Sequence, residues 1–336
     1  MPRPAVSITR PNLAPHLRSH MMATLPRFTD IDGLVGISLN GGLSRGYADD
    51  LSEIDLTLYL TPAAYSSWQQ GRLPLASGII TIDKQLYDLK VINYDKELAE
   101  PWSEVALWDG SYAEVLYDPE GKVAALYAAK LAQPPTVDGV GGRLFGSWWH
   151  FYLAGNIWIQ REDGLQAHLM LNRAIEPLIA ALFQANEEYV PHEKWLVHMS
   201  RTLAWRPDRW EERLGEAMLI TSPTVDCARR RQQSIAGLWR EIDRHVVETF
   251  YPGFPLSAMQ KYHYEQFKRL WTAGSMPVEQ WQQEASVGML HSCLFHDFVT
   301  LADGQVVLDR ERVMATGPRD MDPWFYAIVE AVRAGK

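Results

Sequence analysis

Apolar and polar residues alternate with a period of two in several short runs near the start of the chain, and with the 3.6-residue period of helices over most of the remaining sequence. The run 34–39 is mostly apolar and is a strand candidate that leads into a glycine turn. The run 51–60 alternates. Ile54, Leu56, Leu58 and Leu60 fill one face of the strand it predicts, and Glu53, Asp55, Thr57 and Tyr59 share the other. Strands are also expected at 78–83, 87–94 and 113–117. In the second of these the alternation sets Asp88 and Lys90 on one face and Tyr87, Leu89 and Val91 on the other. Helices are expected at 15–25 after a loosely specified arm, at 62–70 with Thr61 as N-cap and Pro62 in the first position, at 101–107, and from the turn 118–121 to about 131.

Gln133-Pro134-Pro135 followed by Gly139-Val140-Gly141-Gly142 reads as a linker. Beyond it, 144–161, 165–188 and 225–249 are long and apolar at helical spacing, with further helices expected at 279–299 and 323–334. The expected class is α+β: a mixed sheet with helices over residues 1–138, then an all-helical domain over 139–336.

Two patterns near the start carry chemistry. Residues two apart on a strand lie about 6.5–7 Å apart on one face, so Glu53 and Asp55 repel unless a cation sits between them. Mg²⁺ suits such a pair where phosphate oxygens complete its octahedral shell. Just upstream, Asn40-Gly41-Gly42-Leu43-Ser44-Arg45 forms a turn in which backbone N–H groups can approach an anion. Gly41, Gly42, Ser44 and Arg45 are the candidate phosphate group. Arg45 either contacts phosphate or pairs with Asp49 or Asp50.

The stretch Gly41-Gly42, Arg45-Gly46-Tyr47-Ala48-Asp49 and Ser52-Glu53-Ile54-Asp55 resembles the nucleotidyltransferase superfamily that includes DNA polymerase β and the aminoglycoside nucleotidyltransferases. Gly42 stands where that pattern has serine, and Glu53 where it has aspartate. The resemblance implies a catalytic domain followed by a helical domain that receives the acceptor. It implies two Mg²⁺ ions on Glu53, Asp55 and a third carboxylate from a later strand, which also takes the proton of the attacking hydroxyl. Asp88 has the position and the strand phase for that role, with Asp83 and Asp95 as alternatives. The implied reaction moves a nucleoside monophosphate from ATP or another nucleoside triphosphate to a hydroxyl and releases pyrophosphate. A small hydroxylated molecule is the first acceptor expected. A protein or tRNA acceptor, or a nucleotide-binding regulatory protein without transfer, are the alternatives. A homodimer is compatible with the resemblance.

Asn186-x-x-Tyr189-x-Pro191-x-x-Lys194-Trp195 resembles a segment of helical domains in some bacterial nucleotidyltransferases, which would set Lys194 over the triphosphate. The alternative is a helix stop at Pro191 with a solvated lysine. Arg161, Glu162, Asn172 and Glu176 are polar residues in apolar helices and are candidate acceptor contacts. Trp148, Trp149 and Trp195 are candidate lining residues. His291, Cys293 and His296 offer a zinc-like spacing without a visible partner cluster. The net charge of −9 disfavours a broad nucleic-acid surface. No apolar run reaches the length of a membrane span, and two cysteines make no disulfide framework. A cytoplasmic protein is expected.

Overall fold

The computed structural model describes residues 3–284 and 297–336. The chain divides into two compact units, Met1–Thr136 with Leu182–Arg206, and Val137–Ala181 with Pro207–Lys336.

The first unit is built on a five-stranded mixed sheet. In chain order its elements are helices α1 (Ala14–Thr24) and α2 (Pro26–Thr29), strand β1 (Leu34–Leu39), the one-turn α3 (Gly41–Ser44), β2 (Ile54–Leu60), α4 (Pro62–Gln69), β3 (Gly78–Ile82), β4 (Gln85–Asn93), α5 (Tyr94–Ala99), α6 (Glu104–Gly110), β5 (Glu114–Tyr117) and α7 (Lys122–Lys130). The strand order is β3-β4-β2-β1-β5. Only β2 and β4 run parallel, and they pair in the register Ile54↔Tyr87, Asp55↔Asp88, Thr57↔Lys90. The two-residue connection Asp83-Lys84 has positive φ at both positions, the backbone that matches the twist of the β3–β4 hairpin.

The alternation expected of β2 is realised. Ile54, Leu56 and Leu58 join Ile37, Leu39, Tyr87 and Leu89 in a core covered by α1, through Leu17 and Met21. Tyr59, on the opposite face, joins Val123, Leu126 and Tyr127 of α7. The polar positions Asp55 and Thr57 lie on that second face and line the cavity described below.

The amino-terminal arm, expected to be loosely specified, is pinned. Arg3 donates to the Ser111 carbonyl (2.8 Å) and lies over the Tyr112 ring, whose hydroxyl donates to the Pro4 carbonyl (2.8 Å). The Ala5 amide donates to Thr202 Oγ1 (2.9 Å) and the Ser7 amide to His198 Nε2 (3.0 Å). Residues 198 and 202 belong to the returning segment Leu182–Arg206, which carries the helix Glu193–Ser200. That segment is closed by Asn186, which donates to the carbonyls of Leu182 and Trp205 and accepts from the Trp205 amide. Asn186 and Tyr189, whose hydroxyl donates to the Gln133 carbonyl (3.2 Å), thus hold the segment in place rather than facing a ligand.

The second unit is mainly helical. The expected helix 144–161 is a continuous run from Val140 to Gln160 with a π-helical turn at Trp149–Ala154. Gly164–Ala185 and Val225–Phe250 match the long helices read from the sequence. The part expected to be all-helical also carries a three-stranded antiparallel sheet, β6 (Ser275–Pro277), β7 (Val299–Ala302) and β8 (Gln305–Leu308), in the order β6-β8-β7. Strands of three or four residues are too short to display a period of two. Of the helix expected at 279–299, Val278–Glu284 is helical among the described residues, and Val299 instead begins β7. Met276, Val306 and Leu308 pack with Phe267, Leu270, Ile328 and Val329 in the core of this unit. No described helix is long and apolar enough to cross a membrane. The stretch containing His291, Cys293 and His296 lies outside the described residues.

Candidate functional site

The uncovered part of the polar sheet face floors a cavity of about 590 Å³ within the first unit. Asn40, Gly41 and Gly42 stand at one edge, Glu53, Asp55, Thr57 and Tyr59 come from β2 and its lead-in, and Lys90 and Ile92 come from β4. Its volume falls in the range of small-ligand sites.

The turn after β1 is shaped by its glycines. The Asn40 amide donates to the Asp55 carbonyl (3.0 Å), which ties the end of β1 to the start of β2. Gly41 has φ +69°, and a Cβ there would lie 1.8 Å from Asp55 Oδ2, so the carboxylate occupies the space a side chain would need. A Cβ on Gly42 would lie 3.1 Å from the Tyr47 carbonyl oxygen. The loop is closed by the Tyr47 amide, which donates to the Gly42 carbonyl (3.2 Å). The Ser44 hydroxyl donates to the Gly41 carbonyl (2.9 Å) inside the turn, and Ser44 is not among the cavity residues.

Asp49 organises the approach to β2. Its carboxylate accepts from the Leu51 amide (3.0 Å), the Ser52 hydroxyl and the Tyr47 hydroxyl. The bond from the Leu51 amide is the largest cause holding its pKa below the usual carboxylate value. Asp49 therefore builds the turn that delivers Glu53 to the cavity.

Three carboxylates press on Asp55. Its own pKa is pushed up to about 6, first by burial and then by the charges of Glu53, Asp109 and Asp88, against a small opposing effect of Lys90. Asp88 is the register partner of Asp55 on the parallel strand, although it does not line the cavity itself. Among the described residues, no group of three or more His, Cys, Asp or Glu side chains is arranged to hold a metal ion.

Asp109, at the end of α6, carried no sequence signal. It is sixty-four residues from Arg45, yet Arg45 Nη1 donates to Asp109 Oδ1 at 2.7 Å. The Arg45 guanidinium, only 4 % exposed, lies 4.6 Å from the Trp108 ring centroid and 5.1 Å from that of Trp195. Its Nε is buried with no hydrogen-bond partner. Arg45 thus pairs with Asp109 rather than Asp49 or Asp50; those two face Arg10. Asp109→Ala would leave this guanidinium buried without its counter-charge. The expected cost is about 2 kcal/mol, allowing for the partial exposure of Asp109, and is measured by urea denaturation.

Lys194 and His192 also line the cavity. His192 caps the helix Glu193–Ser200 by accepting the Lys194 amide at Nδ1 (3.2 Å), and this fixes the start of the helix at the cavity edge. Trp102, Trp108, Trp195 and Tyr127 supply aromatic walls. The four candidate acceptor contacts lie in the second unit. Asn172 accepts from the buried Arg231 (2.6 Å), which also bonds to His168 and the Ala217 carbonyl, so it serves that unit's own packing. Arg161 lies over the Trp158 ring. Glu162 sits in a left-handed turn (φ +62°), and Glu176 is exposed.

No protein-family model matches the chain, and no curated protein matches it. Among solved structures, one that is similar is the crystal structure of a nucleotidyltransferase-like protein from Exiguobacterium sibiricum 255-15, with 11% sequence identity and a TM-score of 0.43, covering 87% of this chain and 98% of that chain.

Proposed function

We propose that the first unit binds a nucleoside triphosphate with Mg²⁺ and transfers its nucleotidyl group to a hydroxyl of a small molecule, releasing pyrophosphate. The observation that carries this reading is the junction of Gly41 with Asp55. A glycine turn with no room for a side chain lies directly against a carboxylate that burial first, and then three neighbouring acids, force toward protonation. Such charge crowding is what a cation relieves, and hard carboxylate oxygens suit Mg²⁺.

Mg²⁺ commonly takes one or two protein carboxylates and leaves the rest of its shell to phosphates and water. Glu53 and Asp55 are the residues that would hold it, with Asp88 beside Asp55 on the parallel strand. When bound, the ion would neutralise charge on the phosphates during displacement. Gly41 and Gly42 leave the backbone open to the phosphates, and Lys90, Lys194 and Arg45 supply positive charge around the cavity. Asp88 is the proposed general base for the acceptor hydroxyl. The aromatic wall of Trp102 and Trp108 suits the flat face of a base.

A second reading is nucleotide binding without transfer. It is favoured by the position of Asp88 outside the cavity lining and by the lack of a three-carboxylate cluster among the described residues. Pyrophosphate release from each nucleoside triphosphate, with Mg²⁺ and a panel of hydroxylated small molecules, proteins and tRNA, separates the two. Acceptor-dependent release supports transfer. Nucleotide binding with no release from any acceptor supports the second reading.

A further inference from the structure

Asn40 occupies the N-cap position before α3, where an asparagine normally turns its side-chain oxygen to the free N–H groups of the helix. Here it makes no such bond. Its Oδ1 instead accepts from the Ser38 hydroxyl (3.1 Å) and the Thr57 hydroxyl (3.0 Å), both buried. Its Nδ2 faces Asp109 Oδ2 at 3.3 Å. That contact fixes which way the amide points. Asp109 also accepts from Arg45, and its carboxylate oxygens serve as acceptors for both donors. The two hydroxyls must therefore donate to Oδ1.

The chain behind them runs in one direction. Tyr127 donates to Ser38 (3.0 Å), and the Ser38 hydroxyl donates in turn to Asn40 Oδ1. That leaves the Tyr59 hydroxyl, 2.9 Å from that of Tyr127, to act as donor to it. Burial holds the Tyr59 phenol protonated. Five side chains, four of them buried, thus combine to set one amide.

An amide nitrogen has two hydrogens. Asp109 takes one, and among the described residues no protein acceptor takes the other. Asn40 is 8% exposed and lines the cavity next to Gly41 and Gly42. We infer that Asn40 is a specificity-determining residue whose free Nδ2 hydrogen binds a phosphate oxygen of the ligand at the glycine turn, with Ser38 as its positioning residue. The inference rests on the proposed reading of the cavity as a triphosphate site and names a donor within it. The donor stands beside Gly42, where no side chain is available to supply one.

Ser38 is fully buried and cannot touch a ligand, so its role separates positioning from contact. The test is calorimetric titration of the full chain with ATP, tripolyphosphate and adenosine in the presence of Mg²⁺. Wild type, Asn40→Ala and Ser38→Ala are compared, and thermal melting confirms that each variant is folded. Asn40→Ala is expected to weaken ATP and tripolyphosphate by about tenfold or more, as loss of a hydrogen bond to a charged oxygen does. Ser38→Ala is expected to weaken both about threefold, by freeing the amide to turn. Adenosine affinity stays unchanged in both variants. Equal affinities in wild type and variants, or equal losses for all three ligands, would overturn the inference while leaving the triphosphate reading standing. A folded wild-type protein that binds neither ATP nor tripolyphosphate overturns both.

Discussion

Replacing Asp55 by asparagine raises the melting temperature of the metal-free protein and, on the proposed reading, removes its transfer activity. The stability half follows from linkage. The Asp55 carboxyl titrates near 6 in the folded protein, against about 3.9 in an unfolded chain. The folded state therefore holds this proton more tightly. Below about pH 4 both states are protonated and Asp55 carries no penalty. As pH rises from about 4 to 6 the unfolded chain releases the proton first, and folding stability falls. Above 6 the loss is complete, at most about 3 kcal/mol. Asparagine has no proton to lose, so Asp55→Asn is the more stable protein at pH 8, by about 5 °C in melting temperature, and loses that advantage at pH 4. Added Mg²⁺ and nucleotide stabilise the wild type and not the variant. Activity falls by about 10³-fold or more if the carboxylate holds the ion, since metal stabilisation of phosphoryl transfer is worth several kcal/mol. Thermal melts at the two pH values, with and without ligand, check each part.

Gly41→Ala has the opposite sign for stability and the same sign for activity. The residue adopts φ +69°, where a Cβ costs roughly 1–2 kcal/mol. The Cβ would also meet Asp55 Oδ2 at 1.8 Å and its Cγ at 2.4 Å, so the carboxylate must swing away from the turn. Total destabilisation of about 2–3 kcal/mol is expected and, on the proposed reading, a loss of transfer activity of about 10²-fold, as a displacement near 1 Å produces at a reacting centre. Gly42→Ser is the comparison. Its Cβ meets only the Tyr47 carbonyl at 3.1 Å, and its φ is ordinary, so the loop must yield by only a few tenths of an ångström. If Gly41→Ala is as stable and as active as the wild type, the contact between the turn and Asp55 has no functional weight.

The sheet and its acidic face were legible because their information is local. Strict alternation in Ile54–Leu60 states which side of β2 is core, and Tyr87–Val91 does the same for β4. The two phases place Asp55 and Asp88 on one face, and the register between the parallel strands, which the sequence does not state, makes them direct partners. Asp109, Trp108 and the orientation of Asn40 were not legible. Asp109 meets Arg45 and Asn40 from 64 and 69 residues away, and no periodicity in Glu104–Gly110 marks the side that faces Arg45. The fate of the segment 182–206 was hidden for a similar reason, since the helix Gly164–Ala185 continues without a break where the chain passes from one unit to the other. The small sheet of the second unit did leave one trace. Asp303-Gly304, with φ +50° and +71°, is an aspartate–glycine hairpin turn between β7 and β8 that the helical pattern around it outweighed.

The central claim is that the acidic face of β2 and β4, with the glycine turn beside it, binds a metal–triphosphate pair. The most direct measurement is Mn²⁺ binding followed by electron paramagnetic resonance, with and without ATP, for wild type and the Glu53→Gln/Asp55→Asn double variant. The account predicts a Mn²⁺ site in the wild type that tightens at least about tenfold with ATP and is lost in the folded double variant. Equal Mn²⁺ and ATP binding by the two proteins would place the metal elsewhere and contradict the account.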